Sequence, residues 1–506
     1  MSGGTAGKDD KIDSWKDFLN PLRISKRADD DEDVGEVIDA DSIGGGGHSS
    51  HKSTIAKRDL RVSPAIRAFL GFGDGGNDVP ADLQYLLAKP HINVPPEVTD
   101  RFRPLAEYFV SSSHNTYLIA GQLYGKADTN AYEIALSTGA RCVEIDAWDD
   151  EADKEEPKVT HGYTLATHIS FRAVCETLAR IVDKETKQAE GNWKAAPIMI
   201  SLENHCSEHG QQRLVAIAKE VLGDRLVSKA VHDVSAGSQV TLGELSSKVV
   251  LIVEYFFDGQ DPAEASSEDE EEDPESRERE KKKYERQKKK APKVKIIPEL
   301  EELGVYAQSV KPRDPSWYES ELKDGPHDHL INVSESALAS LLVKSSAGIA
   351  EHNSKHLMRV YPKGTRITSA NLHPLPFWGV GAQICALNWQ TFGASPQLNE
   401  ALFAGSDGYV LKPAHLRPGA SKNTAGGKKK KKLRLHIGGA TDVSVPESRD
   451  DKVTPYVSCT LYHPDDHKDD PPKRKTSAYK HHNLGLKHHG YASPATDPIW
   501  DETLEW

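Results

Sequence analysis

The sequence lacks most features that would tie it to an oxidising compartment or hold it in a bilayer. Its five cysteines (Cys142, Cys175, Cys206, Cys385 and Cys459) are odd in number, widely spaced and free of any CxxC pair. That pattern excludes a disulfide framework and points to a reducing compartment. No apolar run approaches the roughly 18–20 residues of a spanning helix, no apolar signal core follows Met1, and Ser2 stands where myristoylation requires glycine. The hydrophobic fraction is only 37% against 28% charged residues, so part of the 506-residue chain is expected to stay unpacked. A net charge of -13 lacks the basic excess of a nucleic-acid binder, and any membrane contact must be local. Residues 1–103 contain no D-x-[DN]-x-[DN]-G loop closed by a glutamate, so no intact EF-hand is expected there.

What is present falls into segments. Residues 1–57 are polar, with acidic Asp29–Asp33 and the run Gly44–Gly47, and read as largely unstructured. From Glu107 onward, short apolar stretches alternate with helical patterns. The strand candidates are Tyr108–Ser112, Ala140–Trp148, Lys158–Thr160, Pro197–Leu202 and Val249–Tyr255, with helices over Phe171–Lys184 and Gln211–Leu222. An acidic block, Glu264–Glu280, and a basic one, Lys281–Lys295, then interrupt the alternation and cannot bury enough apolar surface to fold alone. Strand patterns resume at Leu357–Tyr361, Arg366–Ser369, Gln383–Thr391 and Gly408–Leu411. The two halves together offer about eight strands, the number of a TIM-type barrel, here split by a charged insert. Beyond a Gly/Lys linker, Leu433–Ile437, Pro455–Tyr462 and Ile499–Leu504 read as strands of a small β-domain.

Four segments carry polar groups at the ends of apolar strands. In Ala140–Trp148, strand periodicity places Cys142, Glu144, Asp146 and Trp148 on one face. Two carboxylates on one face repel unless a cation or protons lie between them. The others are Ser111–Leu118 with His114 and Asn115, His161–Thr164, and Ile198–His205 with Glu203. In a barrel, strand C-termini converge on one mouth. Asn115, Glu144, Asp146 and Glu203 would bring oxygen ligands suited to Ca²⁺ rather than zinc. His114 and His161 titrate near neutrality and suit proton transfer or charge stabilisation.

Ser111–Leu118, Cys142–Trp148, His161–Thr164 and Ser201–Cys206 resemble the X region of eukaryotic phosphoinositide-specific phospholipases C. Val333–Ser336, His356–Pro362, Ala386–Thr391 and Gly408–Pro413 resemble the Y region. The resemblance implies a catalytic X region over residues 104–255, a charged linker over 256–300, a Y region over 301–418 and a partial C2-like β-sandwich over 428–506. It implies calcium-dependent hydrolysis of phosphoinositides to diacylglycerol and inositol phosphates through a cyclic phosphodiester, in intracellular lipid signalling. Calcium would be held by Asn115, Glu144, Asp146 and Glu203, with Glu144 or Asp146 as base. His161 matches the family's general acid, His114 its transition-state stabiliser, Ser334 and Arg359 its phosphate contacts, and Tyr361 a residue packing on the inositol ring. The implied partners are anionic membrane lipids, phosphatidylinositol and its phosphates, visited by a cytoplasmic protein that is peripheral at membrane surfaces.

The chain departs from this pattern in places. Ile252 and Glu254 stand where the family usually carries two lysines, and Thr365 replaces a rim tryptophan. Leu123 and Leu165 are candidates for an apolar ridge around the mouth. Thr454 occupies a position where an aspartate often precedes Pro-Tyr-Val in C2 domains, so calcium binding by that region is not expected. His481, His482, His488 and His489 lack carboxylate or cysteine companions at metal-ligand spacing. Two other readings are a glycerophosphodiesterase barrel and a catalytically weak inositide-binding scaffold.

Overall fold

The structure, a computed structural model, describes residues 36–37, 62–72, 81–88, 93–119, 126–162, 167–189, 194–231, 239–257, 295–312, 314, 316–319, 322, 325–363, 366, 369–419, 431–443, 454–463, 472–480 and 495–506. Eight parallel strands form its centre: β1 (Tyr108–His114), β2 (Cys142–Trp148), β3 (Ile198–Asn204), β4 (Val249–Tyr255), β5 (Gln308–Val310), β6 (His329–Ser334), β7 (Leu357–Tyr361) and β8 (Ile384–Asn388). Each pairs with the next in sequence. β1 pairs with β2 through Ser112 and Cys142 and with β8 through Val110 and Ile384, so the sheet closes on itself as a TIM-type barrel.

The period of two explains the layering. Tyr108, Val110, Cys142, Met199, Val250, Ile252, Leu330, Leu357 and Ile384, drawn from seven of these strands, form one buried cluster inside the barrel. Alternate residues such as Val143, Ile145, Ile200, Leu202, Leu251 and Val253 face outward onto Val174, Leu178, Leu214 and Ile217 of the surrounding helices. Those helices are α1 (Thr129–Ser137), α2 (Phe171–Gln188), α3 (Glu208–Leu222), α4 (Glu335–Lys355, kinked at Ser345) and α5 (Ala394–Phe403). The first four start on side-chain caps, Asp128, Ser170, Ser207 and Ser334, which accept hydrogen bonds from first-turn amides.

About eight strands were expected, but three of those counted are not barrel strands. Lys158–Val159 pairs antiparallel with the end of β2, and Tyr409–Leu411 pairs antiparallel with the start of β1. Arg366 and Ser369 belong to no strand, Ser369 lying at φ 59. Their places are taken by β5 and β6. β5 is only three residues long, and β6 mixes Asn332 and Ser334 into its inner face, so neither shows a clean apolar run. The charged insert falls between β4 and β5 and divides the barrel into two four-stranded halves; residues 258–294 lie outside the described set. The same holds for most of 1–57, apart from Glu36–Val37, which pair with Thr391–Phe392. Leu123, Leu165, Thr365 and the four histidines of 481–489 are also outside it.

In the C-terminal region Arg434–Gly439 pairs antiparallel with Ile499–Glu505, and Ser458–Thr460 with Lys473–Lys475. The helix Pro64–Phe69 packs on the first pair, where a Cβ on Gly439 would stand 2.4 Å from Ile66. No helix among the described residues is long and apolar enough to cross a membrane.

Candidate active site

The inner face that buries Cys142 at one level presents Glu144 and then Asp146 two and four residues later. Neighbouring β3 brings Glu203 opposite Asp146 in the pairing register. Carboxylate oxygens of Glu144, Asp146 and Glu203 lie within 4.8 Å of one another, closer than the strand spacing alone requires. Glu144 and Asp146 are buried and Glu203 is half-buried. Burial pushes the Glu203 carboxyl well above its usual range, and the charges of Glu144 and Asp146 push it further the same way. Three such groups cannot all ionise unless a cation lies among them.

Glu144 is the exception, and its environment explains why. Burial alone would raise its pKa. Arg359 from β7, with help from His114 and the Asn115 amide, overrides that and holds it at about 2. The Arg359 guanidinium donates from Nη2 to Glu144 Oε1 at 2.5 Å and from Nη1 to Asn332 Oδ1 at 3.1 Å. Both members of the ion pair are 1% exposed. Arg359 Nε makes no hydrogen bond, and the guanidinium carbon sits 5.8 Å from the Tyr361 ring centre.

β1 ends at His114, and the chain then turns through Asn115 at φ 46, a left-handed conformation that asparagine tolerates better than most residues. That turn lets the Asn115 amide donate to Glu144 Oε2 at 2.6 Å. The Tyr117 hydroxyl lies 2.6 Å from Asp146 Oδ2 and 2.9 Å from Asn115 Oδ1, so the Asn115 amide oxygen and the Asp146 carboxylate converge on one point. His114 Nδ1 lies 2.7 Å from Asn388 Oδ1. Asn388 Nδ2 donates to the Ala370 carbonyl at 3.0 Å, which orients its oxygen toward the imidazole. Nδ1 therefore carries a proton, and Nε2 faces Glu144 Oε2 at 4.0 Å, where a protonated imidazole adds to the lowering of the Glu144 pKa.

His161 follows the short strand Lys158–Val159, and the preceding Thr160 amide donates to the Asp146 carbonyl at 3.2 Å. Its neighbour Gly162 has no room for a side chain, because a Cβ there would fall 2.0 Å from Trp148. Trp148 in turn stacks on His205 at 4.1 Å between ring centres. Glycine at this position lets the backbone carrying His161 lie against the end of β2. Ser334 ends β6 and caps α4, accepting from the Ala337 amide at 3.3 Å. Of the residues expected in the site, His114, Asp146, Glu203, Ser334 and Tyr361 lie in the C-terminal half of a barrel strand and Asn115 just beyond one. Glu144 and Arg359 lie nearer the middle of theirs, and His161 follows the short antiparallel strand Lys158–Val159. Asn388, Tyr117 and Asn332 were not given roles. Asn388 carried a usable signal, since it closes the apolar strand Ile384–Asn388 as Glu203 nearly closes β3.

The barrel and its acidic mouth define a TIM-type barrel whose polar groups gather where such barrels place their sites. Residues 102–255 match the X domain of phosphatidylinositol-specific phospholipase C, and residues 300–415 match its Y domain, together more than half of the chain. The chain is 33% identical over 385 residues to 1-phosphatidylinositol 4,5-bisphosphate phosphodiesterase delta-3-A of Danio rerio, covering 74% of this chain and 47% of that protein. It is 36% identical over 327 residues to the delta-1 protein of the same description from Rattus norvegicus, covering 63% and 41% respectively. The crystal structure of L. pealei PLC21 shares the fold, with a TM-score of 0.63 at 24% identity over 93% of this chain and 57% of that one. The chain belongs to the phosphoinositide-specific phospholipase C family. It spans less than half the length of these two curated relatives.

Proposed function

We propose that this chain is a calcium-dependent phosphoinositide phospholipase C acting at the surface of anionic membranes from the cytoplasmic side. The observation that carries this is the convergence of three carboxylates, with the Asn115 oxygen meeting Asp146 at the Tyr117 hydroxyl, beside a histidine whose Nδ1–H is held by Asn388. The donor set is all oxygen, as a hard cation prefers. When held by Asn115, Glu144, Asp146 and Glu203, calcium would lower the pKa of the inositol 2-hydroxyl and offset the charge developing at phosphorus. Glu144 or Asp146 takes the hydroxyl proton as the oxygen attacks phosphorus. His161 gives a proton to the glycerol oxygen, and diacylglycerol leaves. Water then opens the cyclic phosphate, with the same groups working in reverse. His114, its Nδ1–H committed to Asn388, would stabilise the reacting phosphate by donating from a protonated Nε2, which lies on the Glu144 side of the ring. Arg359 Nε and the capped α4 terminus at Ser334 supply further donors for a phosphate oxygen.

The test is release of water-soluble inositol phosphates, with diacylglycerol, from vesicles containing phosphatidylinositol or its phosphates. Excess chelator abolishes release and added calcium restores it. Asp146→Asn raises the calcium concentration needed. Calcium at about 100 times its dissociation constant also stabilises the wild type against denaturant by about 2.7 kcal/mol, independently of turnover. Full activity in excess chelator overturns the metal assignment. Release of glycerol phosphate instead of diacylglycerol would favour the glycerophosphodiesterase reading.

Substrate choice follows from charge. Among the described residues, the inward positions at the mouth carry Glu144, Asp146, Glu203 and Glu254 against one permanent cation, Arg359, which Glu144 already engages. Glu254 is half-buried, and burial pushes its pKa to about 7. Ring phosphates on the inositol would meet no cation at this position of β4, and an unpaired buried charge is costly. Glu254→Lys is expected to raise the ratio of kcat/KM for the bisphosphate over phosphatidylinositol by about 5- to 150-fold, equivalent to ~1–3 kcal/mol. An unchanged ratio in matched vesicles would remove Glu254 from the ring-phosphate environment.

A further inference from the structure

The end of the barrel opposite the carboxylates holds a second cluster of titratable groups. His329 is the first residue of β6, His352 lies in the last turn of α4, and His356 immediately precedes β7. His329 Nε2 and His352 Nε2 face each other at 3.0 Å. The opposite nitrogen of each ring is already committed. His329 Nδ1 lies 3.1 Å from the Pro326 carbonyl, which can only accept, so Nδ1 carries the proton. His352 Nδ1 lies 3.0 Å from Asn353 Oδ1. The Asn353 amide cannot turn over without loss, because its Nδ2 donates to the Val380 carbonyl at 3.0 Å inside the core. His352 Nδ1 therefore carries its proton too. With both Nδ1 positions protonated, each neutral ring is left with its lone pair on the Nε2 that adjoins the other ring.

We propose that His329 and His352 are a chelating pair for a borderline divalent transition metal ion such as zinc. Two nitrogens 3.0 Å apart subtend about 95° at an ion roughly 2.05 Å from each, within the range that such ions accept. Each Nδ1–H bonded to a carbonyl oxygen is the outer contact that orients a metal-ligating histidine and raises its basicity. His356 stacks on His329 with ring centres 3.9 Å apart, and Trp317 meets the His352 ring edge-on at 4.8 Å, so both rings are held in place. Burial keeps the pKa of His352 down, at about 4, so its lone pair is available at neutral pH. The nearby Lys412 is itself buried, which holds its pKa well below the usual lysine range and limits its repulsion of a cation. His352 is half-buried, leaving a side from which water can complete the coordination. The ion would lie at the N-terminal ends of the strands, far round the barrel from the mouth, bridging α4 to β6 with two protein nitrogens and an open remainder of its shell.

Equilibrium dialysis of the metal-free 506-residue chain against zinc chloride, with calcium saturating, tests this. The wild type is expected to bind one more equivalent of zinc than His352→Gln, with the other histidines of the chain cancelling in the difference. Equal stoichiometry overturns the proposal. A second measurement uses the wild type alone, so that it stands even where His352→Gln fails to fold. Long-range proton–nitrogen NMR spectra are expected to show Nδ1–H tautomers for both rings, and zinc is expected to move both Nε2 resonances. If those resonances respond to pH but not to zinc, the pair shares a proton only and holds no metal.

Discussion

His161→Ala is expected to lower turnover on phosphatidylinositol vesicles by roughly 10²–10⁴-fold, the usual contribution of a positioned acid or base. The loss comes from the departing glycerol oxygen, which is a poor leaving group unless a proton reaches it. A substrate whose leaving group is already a weak base, such as a nitrophenyl ester of inositol phosphate, needs that proton far less. The defect on it is expected to shrink to a small fraction of the loss on lipid. His114→Ala is expected to lose a similar factor on both substrates, because its Nε2 faces Glu144 and, in the proposed mechanism, serves the phosphate and not the leaving group. The two variants thus separate by substrate even where their losses on lipid coincide. Near-normal activity of either variant removes that histidine from the mechanism. Equal losses of His161→Ala on both substrates would remove its role as the acid while leaving it in the site.

The second large effect concerns folding. Arg359 and Glu144 form an ion pair at 2.5 Å in which each partner is 1% exposed. Attraction at that separation offsets desolvation only while both charges are present. Arg359→Met, measured with chelator so that no cation substitutes for the guanidinium, is expected to cost about 3–5 kcal/mol of the barrel's unfolding free energy. The cause is the uncompensated Glu144 carboxylate, whose depressed pKa depends chiefly on this partner against the upward push of burial. Adding Glu144→Gln to Arg359→Met is expected to recover most of the loss, since no buried charge then remains. Denaturant midpoints of the two single variants and the double variant check this. A loss below about 1 kcal/mol in Arg359→Met would mean that water or another group already compensates Glu144.

The sequence alone determined the inner and outer faces of the strands it revealed. Period two in Cys142–Trp148 and the apolar run closed by Glu203 put these carboxylates on a common side, since side-chain direction in a strand is a local property. It also determined where the barrel divides, because the charge blocks of Glu264–Lys295 cannot form a core. The family followed from the order of the X-like and Y-like motifs. Tertiary structure decided which strands close the barrel. Gln308–Val310 is held there by pairing with both neighbours and not by its own propensity, whereas the more strand-like Tyr409–Leu411 pairs antiparallel with β1 and is not one of the eight. It also decided the partnerships that give the site its electrostatics. Arg359 meets Glu144 across 215 positions of sequence, and Asn388 meets His114 across 274. No local pattern encodes such pairings, because they arise only when closure of the sheet brings β7 and β8 round to face β1 and β2. The adjoining Nε2 atoms of His329 and His352 have the same origin, in the docking of α4 against the start of β6.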